Sequence, residues 1–146
     1  MRATQTLSLF AAAMLAVTTA VYAGNEVENA FTALSHAEQL ESSLLGESAQ
    51  QSKLTPMFAV LTQSNDQEEQ FQRLATAAAT NAGKAYGIVG LYRIQPDKAL
   101  ERARALPADF KIPYTLFCIS GEWDRDDFVQ QLREGNVLRA LSYSLN

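Results

Sequence analysis

Along most of the chain, apolar residues recur at steps of three and four, the spacing that gathers them on one face of a helix. Val27, Phe31, Leu34, Ala37, Leu40 and Leu44 form the first such stripe. Asn25 can cap its start, Glu28 three residues on completes a capping box, and Gly46 closes it. After a polar connection over 47–52, Thr55-Pro56 signals a new start, because proline is favoured in the first helical turn. Met57, Phe58 and Leu61 then point inward as far as about residue 63. Asp66 and Glu69 make another capping box, ahead of a stripe formed by Phe71, Leu74, Ala75 and Ala78.

Between residues 75 and 91 the side chains become small: Ala75, Ala77, Ala78, Ala79, Ala82, Gly83, Ala85, Gly87 and Gly90. Each glycine inside a helix costs about 1 kcal/mol relative to alanine. Close approach of neighbouring helix backbones is the simplest offset. The pattern predicts two helices, over 66–79 and 82–94, with Asn81 capping the second; one long bent helix is the alternative.

Pro96 opens a further helix with Ala99, Leu100, Ala103 and Leu106 inward and Lys98, Glu101, Arg102 and Arg104 outward, ended by Pro107. The apolar run from Ile112-Pro113 to Ile119 suits a buried strand or a buried helix by its length, and its helical surroundings favour helix. Asp124 caps a helix carrying Phe128, Val129 and Leu132, which Gly135 stops, and a last short helix covers 137–145.

Residues 66–134 resemble the stacked helical hairpins of HEAT repeats. The resemblance is carried by Ala82-Gly83-Lys84-Ala85-Tyr86-Gly87-Ile88-Val89-Gly90-Leu91, followed by Pro96-Asp97 and another helix. It implies stacked helical pairs and a protein-binding surface, and it implies no enzyme activity. The expected fold is therefore all-α, HEAT-like stacked helical hairpins or an irregular helical bundle, in a single domain over 24–146.

The first 23 residues read as a secretory signal peptide. Arg2 precedes an apolar run from Leu7 to Val21, and Val21-Tyr22-Ala23 offers small residues at the positions an export peptidase requires. The run is too short and too interrupted for a spanning helix, which needs about 20 apolar residues. Cleavage after Ala23 places the remaining chain in the periplasm or outside the cell, with no membrane insertion. Of 12 basic residues one, Arg2, leaves with the leader, so 11 remain against 16 acidic and the net charge is −5. An acidic exported chain has no electrostatic attraction to nucleic acid or anionic lipid.

Candidate chemistry is sparse. The single cysteine, Cys118, permits no internal disulfide, and its apolar run Tyr114–Ile119 is the setting of an inert buried thiol. The single histidine, His36, falls on the solvent face of the first helix. One histidine and one cysteine cannot complete a structural zinc site. The acidic stretch from Glu122 fails as a calcium loop, since from Asp124 the sixth residue is Val129 and the twelfth Gly135. Gly83, Gly87 and Gly90 lack the preceding strand of a phosphate loop. No cofactor or metal is expected.

Trp123, in a charged turn between two helices with Glu122, Asp124 and Asp126, is the best candidate contact site for a partner. The competing reading has the indole tucked over the base of the turn with only its N–H wet. Tyr86 and Tyr92 are further candidates, as the lining of a groove beside the glycine-rich helix. The expected function is a non-enzymatic interaction module that binds another protein, for instance an immunity-type inhibitor of an envelope-targeting toxin; the sequence sets no oligomeric state. The competing classes are a small hydrolase or transferase using Cys118 or His36, and a structural envelope protein without a fixed partner.

Overall fold

A computed structural model of the chain describes residues 24–142, so the segment 1–23 expected to be a signal peptide and the last four residues lie outside the described part. Seven helices and four strands are present among the described residues. They are α1 (24–35), β1 (Leu40–Leu45), β2 (Gln50–Gln51), α2 (Leu54–Gln63), α3 (Gln67–Ala77), α4 (Asn81–Ile94), α5 (Pro96–Arg104), β3 (Ile112–Phe117), β4 (Ile119–Trp123), α6 (Arg125–Arg133) and α7 (Asn136–Ser142). The strands form one mixed sheet in the order β2-β1-β3-β4. The expectation of an all-α stack of helical hairpins is overturned: this is an α/β fold.

Two segments account for the difference. The first stripe breaks at His36, and Leu40 and Leu44 pass into β1 instead of prolonging α1. A spacing of four fits a helical face and also two steps of a strand, so the leucines did not discriminate. What decides is non-local. β1 pairs in parallel with β3, Leu40 beside Tyr114 and Glu41 beside Thr115, and Ser42 and Ser43 contribute weak helix propensity. Gly46, at φ +69°, therefore starts the turn into β2 rather than ending a helix. The run 112–119 is likewise strand, forming an antiparallel hairpin with β4.

The helices sit much where periodicity put them. α4 is central, with buried side chains on nearly its whole circumference from Ala82 to Leu91, the pattern of a helix enclosed on all sides. Its glycines make the enclosure possible. A Cβ on Gly87 would lie 2.2 Å from the backbone nitrogen of Ala75 in α3, and one on Gly83 would lie 2.8 Å from the carbonyl oxygens of Leu34 and Ser35 at the end of α1. The cap of α4 is Thr80, one residue before the expected Asn81. Its hydroxyl accepts from the Gly83 N–H (2.9 Å) and donates to the Ala37 carbonyl (2.6 Å), fastening the end of α1 to the start of α4. Asn81 instead donates to the Lys111 carbonyl (2.8 Å) at the approach to β3.

Phe58, Phe71 and Tyr86 meet at the centre of the core, with ring centroids 5.4 Å apart for Phe58–Phe71 and 5.9 Å for Phe58–Tyr86. Tyr86 is buried and lines no groove. Its hydroxyl accepts from the Glu41 N–H (2.9 Å), tying α4 to β1, and burial pushes its pKa upward.

Candidate interaction surface

The β3–β4 hairpin holds Cys118, Glu122 and Trp123, with Asp124 and Asp126 just beyond it, in an arrangement the sequence did not foretell. Its register pairs Ile112 with Trp123, Tyr114 with Gly121 and Leu116 with Ile119 on one face, and Pro113 with Glu122 and Thr115 with Ser120 on the other. The first face looks into the core. At its base Ile112 and Trp123 are buried, and at its tip Ile119 is 63 % exposed. The apolar ladder thus begins beneath the helices and runs out past their cover into solvent.

Trp123 is the last residue of β4, not part of a turn between two helices, because the segment before it is strand. Its indole stacks on Tyr114 with centroids 4.1 Å apart and lies 6.4 Å from the Phe128 ring of α6, leaving 8 % of the residue exposed. Gly121 makes room for this stack, since a Cβ there would sit 2.6 Å from the Tyr114 hydroxyl. The tryptophan is thus the base of the hairpin, fixing it to α6.

The three acids flanking it have separate duties. Asp124 caps α6, accepting from the Asp127 N–H at 2.9 Å, which also places its charge at the positive end of the helix. Asp126 is exposed and pairs with Arg125 at 2.9 Å, and the hydrogen bond from Arg125 lowers its pKa. Glu122 projects from the polar, outer face of the sheet and is exposed.

At the tip, Phe117 and Cys118 form a two-residue turn between Leu116 and Ile119. Phe117 has φ +56°, a conformation that favours glycine. Two bonds from the β1 end of the sheet hold it there: its N–H donates to the Ser42 hydroxyl (2.7 Å), and its carbonyl accepts from the Gly46 N–H (2.7 Å). Cys118 is exposed, so the expectation of a buried thiol is corrected. An apolar neighbourhood in sequence signals burial only where the segment is not a turn. Phe117, 42 % exposed, and Ile119 are the two large hydrophobics exposed among the described residues, and they flank this cysteine.

His36 and Cys118 do not come together. Because β1 and β3 run parallel, His36, before β1, and Cys118, beyond β3, lie at opposite ends of the sheet. His36 lines an open cleft together with Glu41, Ser52 and Lys53, and its Nδ1 lies 3.0 Å from the Thr32 carbonyl of its own helix. The buried Ser52 hydroxyl donates to Glu41 (2.5 Å) and accepts from the Leu54 N–H (3.1 Å). Gln39 donates to Glu41 (3.1 Å), and the Thr115 hydroxyl lies 3.0 Å from Gln39 and 2.9 Å from the Ser120 hydroxyl. These polar contacts bind strand to strand across the outer face. Among the described residues, no group of three or more His, Cys, Asp or Glu side chains is placed to hold a metal ion, and no helix is long and apolar enough to cross a membrane.

What reading the sequence missed is the outer edge of β4, where Ile119, Ser120, Gly121 and Glu122 are all exposed. The available signal was the run Phe117-Cys118-Ile119 followed by Ser120-Gly121, which looks like core until its turn is known. No family model matches the chain, and no curated protein or solved structure is similar to it.

Proposed function

We propose that this chain is an exported, non-enzymatic interaction module that binds another protein through the β3–β4 hairpin. One observation carries the reading: Phe117 and Ile119, the large hydrophobics exposed among the described residues, sit together at the hairpin tip. Ile119 also prolongs an apolar ladder that starts in the core. Single apolar side chains scattered over a surface need no explanation, whereas a contiguous apolar feature rimmed by polar groups marks a contact. Exported as the leader implies, the module would meet its partner in the periplasm or outside the cell. An immunity-type inhibitor that covers part of an envelope-targeting toxin is one concrete form.

The experiment is a pair of substitutions set against co-purification. Cys118→Ala and His36→Ala are expected to leave the native phenotype unchanged. The wild-type chain is expected to leave the periplasm with one stoichiometric companion, and the complex should re-form from the two purified proteins. Loss of phenotype in either alanine variant, with unchanged circular dichroism and undiminished binding of the companion, would replace this reading with an enzymatic one.

A further inference from the structure

The two edges of the sheet are built differently. Natural proteins blunt an open strand edge by shortening it, or with proline, lysine or a bulge. β2 is only two residues long and so is protected by shortness. β4 runs for five residues, Ile-Ser-Gly-Glu-Trp, with no proline and no lysine. The register irregularity of the sheet falls between β1 and β3, leaving the β3–β4 pairing continuous from Ile112 to Ile119.

The register also says which backbone groups are available. Leu116 and Ile119 close the two-residue turn as a hydrogen-bonded pair, and such pairs alternate along an antiparallel ladder. Ile119, Gly121 and Trp123 therefore direct their N–H and C=O groups toward β3. Ser120 and Glu122 direct theirs outward, along the free edge.

We infer that β4 recruits its partner by strand addition: an extended segment with alternating apolar and basic side chains pairs with the N–H and C=O groups of Ser120 and Glu122 and continues the sheet. The inference rests on the protein-binding reading above and specifies the chemistry of the bound segment. Main-chain bonds supply attachment in such complexes, and alternate side chains supply selectivity. On the core-side face the incoming residues lie against Ile119 and the flat surface at Gly121, which calls for apolar side chains. On the outer face they lie beside Ser120 and the exposed carboxylate of Glu122. The one basic residue over 119–127, Arg125, is already engaged by Asp126. Charge complementarity therefore calls for lysine or arginine at the alternate positions. A second copy of this chain is the poorer occupant, because pairing the same edge with itself brings a second Glu122 to the seam and a second net negative charge beside the first.

The test uses the purified protein and a short synthetic peptide alternating valine and lysine. Two further peptides serve as controls: valine alternating with glutamate, and the valine–lysine sequence N-methylated on alternate residues. The first peptide is expected to slow hydrogen exchange at the Ser120 and Glu122 amides. The other two should bind more weakly by about tenfold or more, as loss of even one or two good hydrogen bonds implies. Ser120→Pro should weaken binding by a similar factor while leaving the Trp123 emission unchanged. Should that variant unfold, the methylated peptide against the wild-type chain still decides.

Equal binding of the methylated peptide would reduce the effect to charge alone and overturn the inference, as would the absence of protection at these two amides. Concentration-dependent self-association that protects the same amides without peptide would assign the edge to a second copy, and overturn it too. A native companion whose complex leaves both amides exchanging freely would refute strand addition while leaving the protein-binding reading intact. Failure to find any stoichiometric companion bears on that reading instead.

Discussion

Replacing Gly87 by alanine puts opposing effects into one substitution. On helix propensity alone the change should stabilise α4 by about 1 kcal/mol. The new Cβ, however, would lie 2.2 Å from the Ala75 nitrogen, 2.8 Å from the Ala75 Cα and 2.8 Å from the Leu74 carbonyl carbon. All three atoms are backbone of α3, so no side chain can rotate away. Ordinary contact begins at 3.4 Å, and the two helices must part by about 1.2 Å. Interiors are close-packed, and such a parting forfeits contacts along the whole seam from Phe71 to Ala78. Overpacking of this kind costs up to about 3 kcal/mol, which leaves a net loss of about 2 kcal/mol after the propensity gain. In urea, followed by Trp123 emission, the midpoint should fall by about 1 M with an unchanged slope. In a thermal scan the same loss corresponds to about 8 °C for a domain of this size. Gly121→Ala, whose Cβ meets only the phenol of Tyr114, should cost visibly less. A Gly87→Ala protein as stable as the parent, or more so, would show that α3 and α4 do not touch backbone to backbone.

Four smaller predictions can be checked alongside. Ser43→Ala should be neutral or stabilising by up to about 1 kcal/mol, because the buried Ser43 hydroxyl has no partner; Ser42→Ala should lose about 1–2 kcal/mol, since it strands the Phe117 N–H. Equal urea midpoints for the two variants would contradict the assignment. Tyr86→Phe removes the acceptor of the Glu41 N–H and should cost about 1–3 kcal/mol with the core rings otherwise in place. Cys118 should react completely with a thiol reagent in the native protein, at a rate that denaturant does not greatly raise. The hydrogen bond from Gln70 lowers the Asp66 pKa, so its stabilising contribution is complete above the unfolded aspartate value of about 3.9 and is lost as pH falls through the lower folded value. A carboxyl titration by NMR should place Asp66 below an ordinary aspartate, and Gln70→Leu should remove most of that depression.

The legible parts of the fold were those decided by near neighbours. Pro56, Asp66, Pro96, Asp124 and Gly135 mark helix boundaries to within a residue or two of their observed places, and the small residues from Ala75 to Gly90 announced the α3–α4 seam. The sheet was hidden because its pairings are remote. Nothing between Leu40 and Leu45 says strand until Tyr114 and Thr115 lie beside it. The hairpin was harder still, because its turn is Phe-Cys rather than a glycine pair, and Phe117 reaches positive φ only with support from Ser42 and Gly46. Without the turn, Cys118 looked like core, while Trp123 was left between an exposed contact and an indole tucked over its turn. The thiol proved exposed and the indole buried.

The parallel pairing of β1 with β3 also bears on how the chain acquires its shape. Ser42 and Phe117, bonded across the sheet, lie 75 positions apart, and four helices occupy the interval. Bringing such distant segments together incurs the loop-closure entropy before any pairing is gained. The α3–α4 unit closes over a short connection and can form early. The sheet's central rung must wait, with β1 held ready until the hairpin reaches it. Removal of the segment after Lys111 should therefore leave a compact helical intermediate with an unpaired β1, prone to sticking to other chains, rather than a smaller native protein.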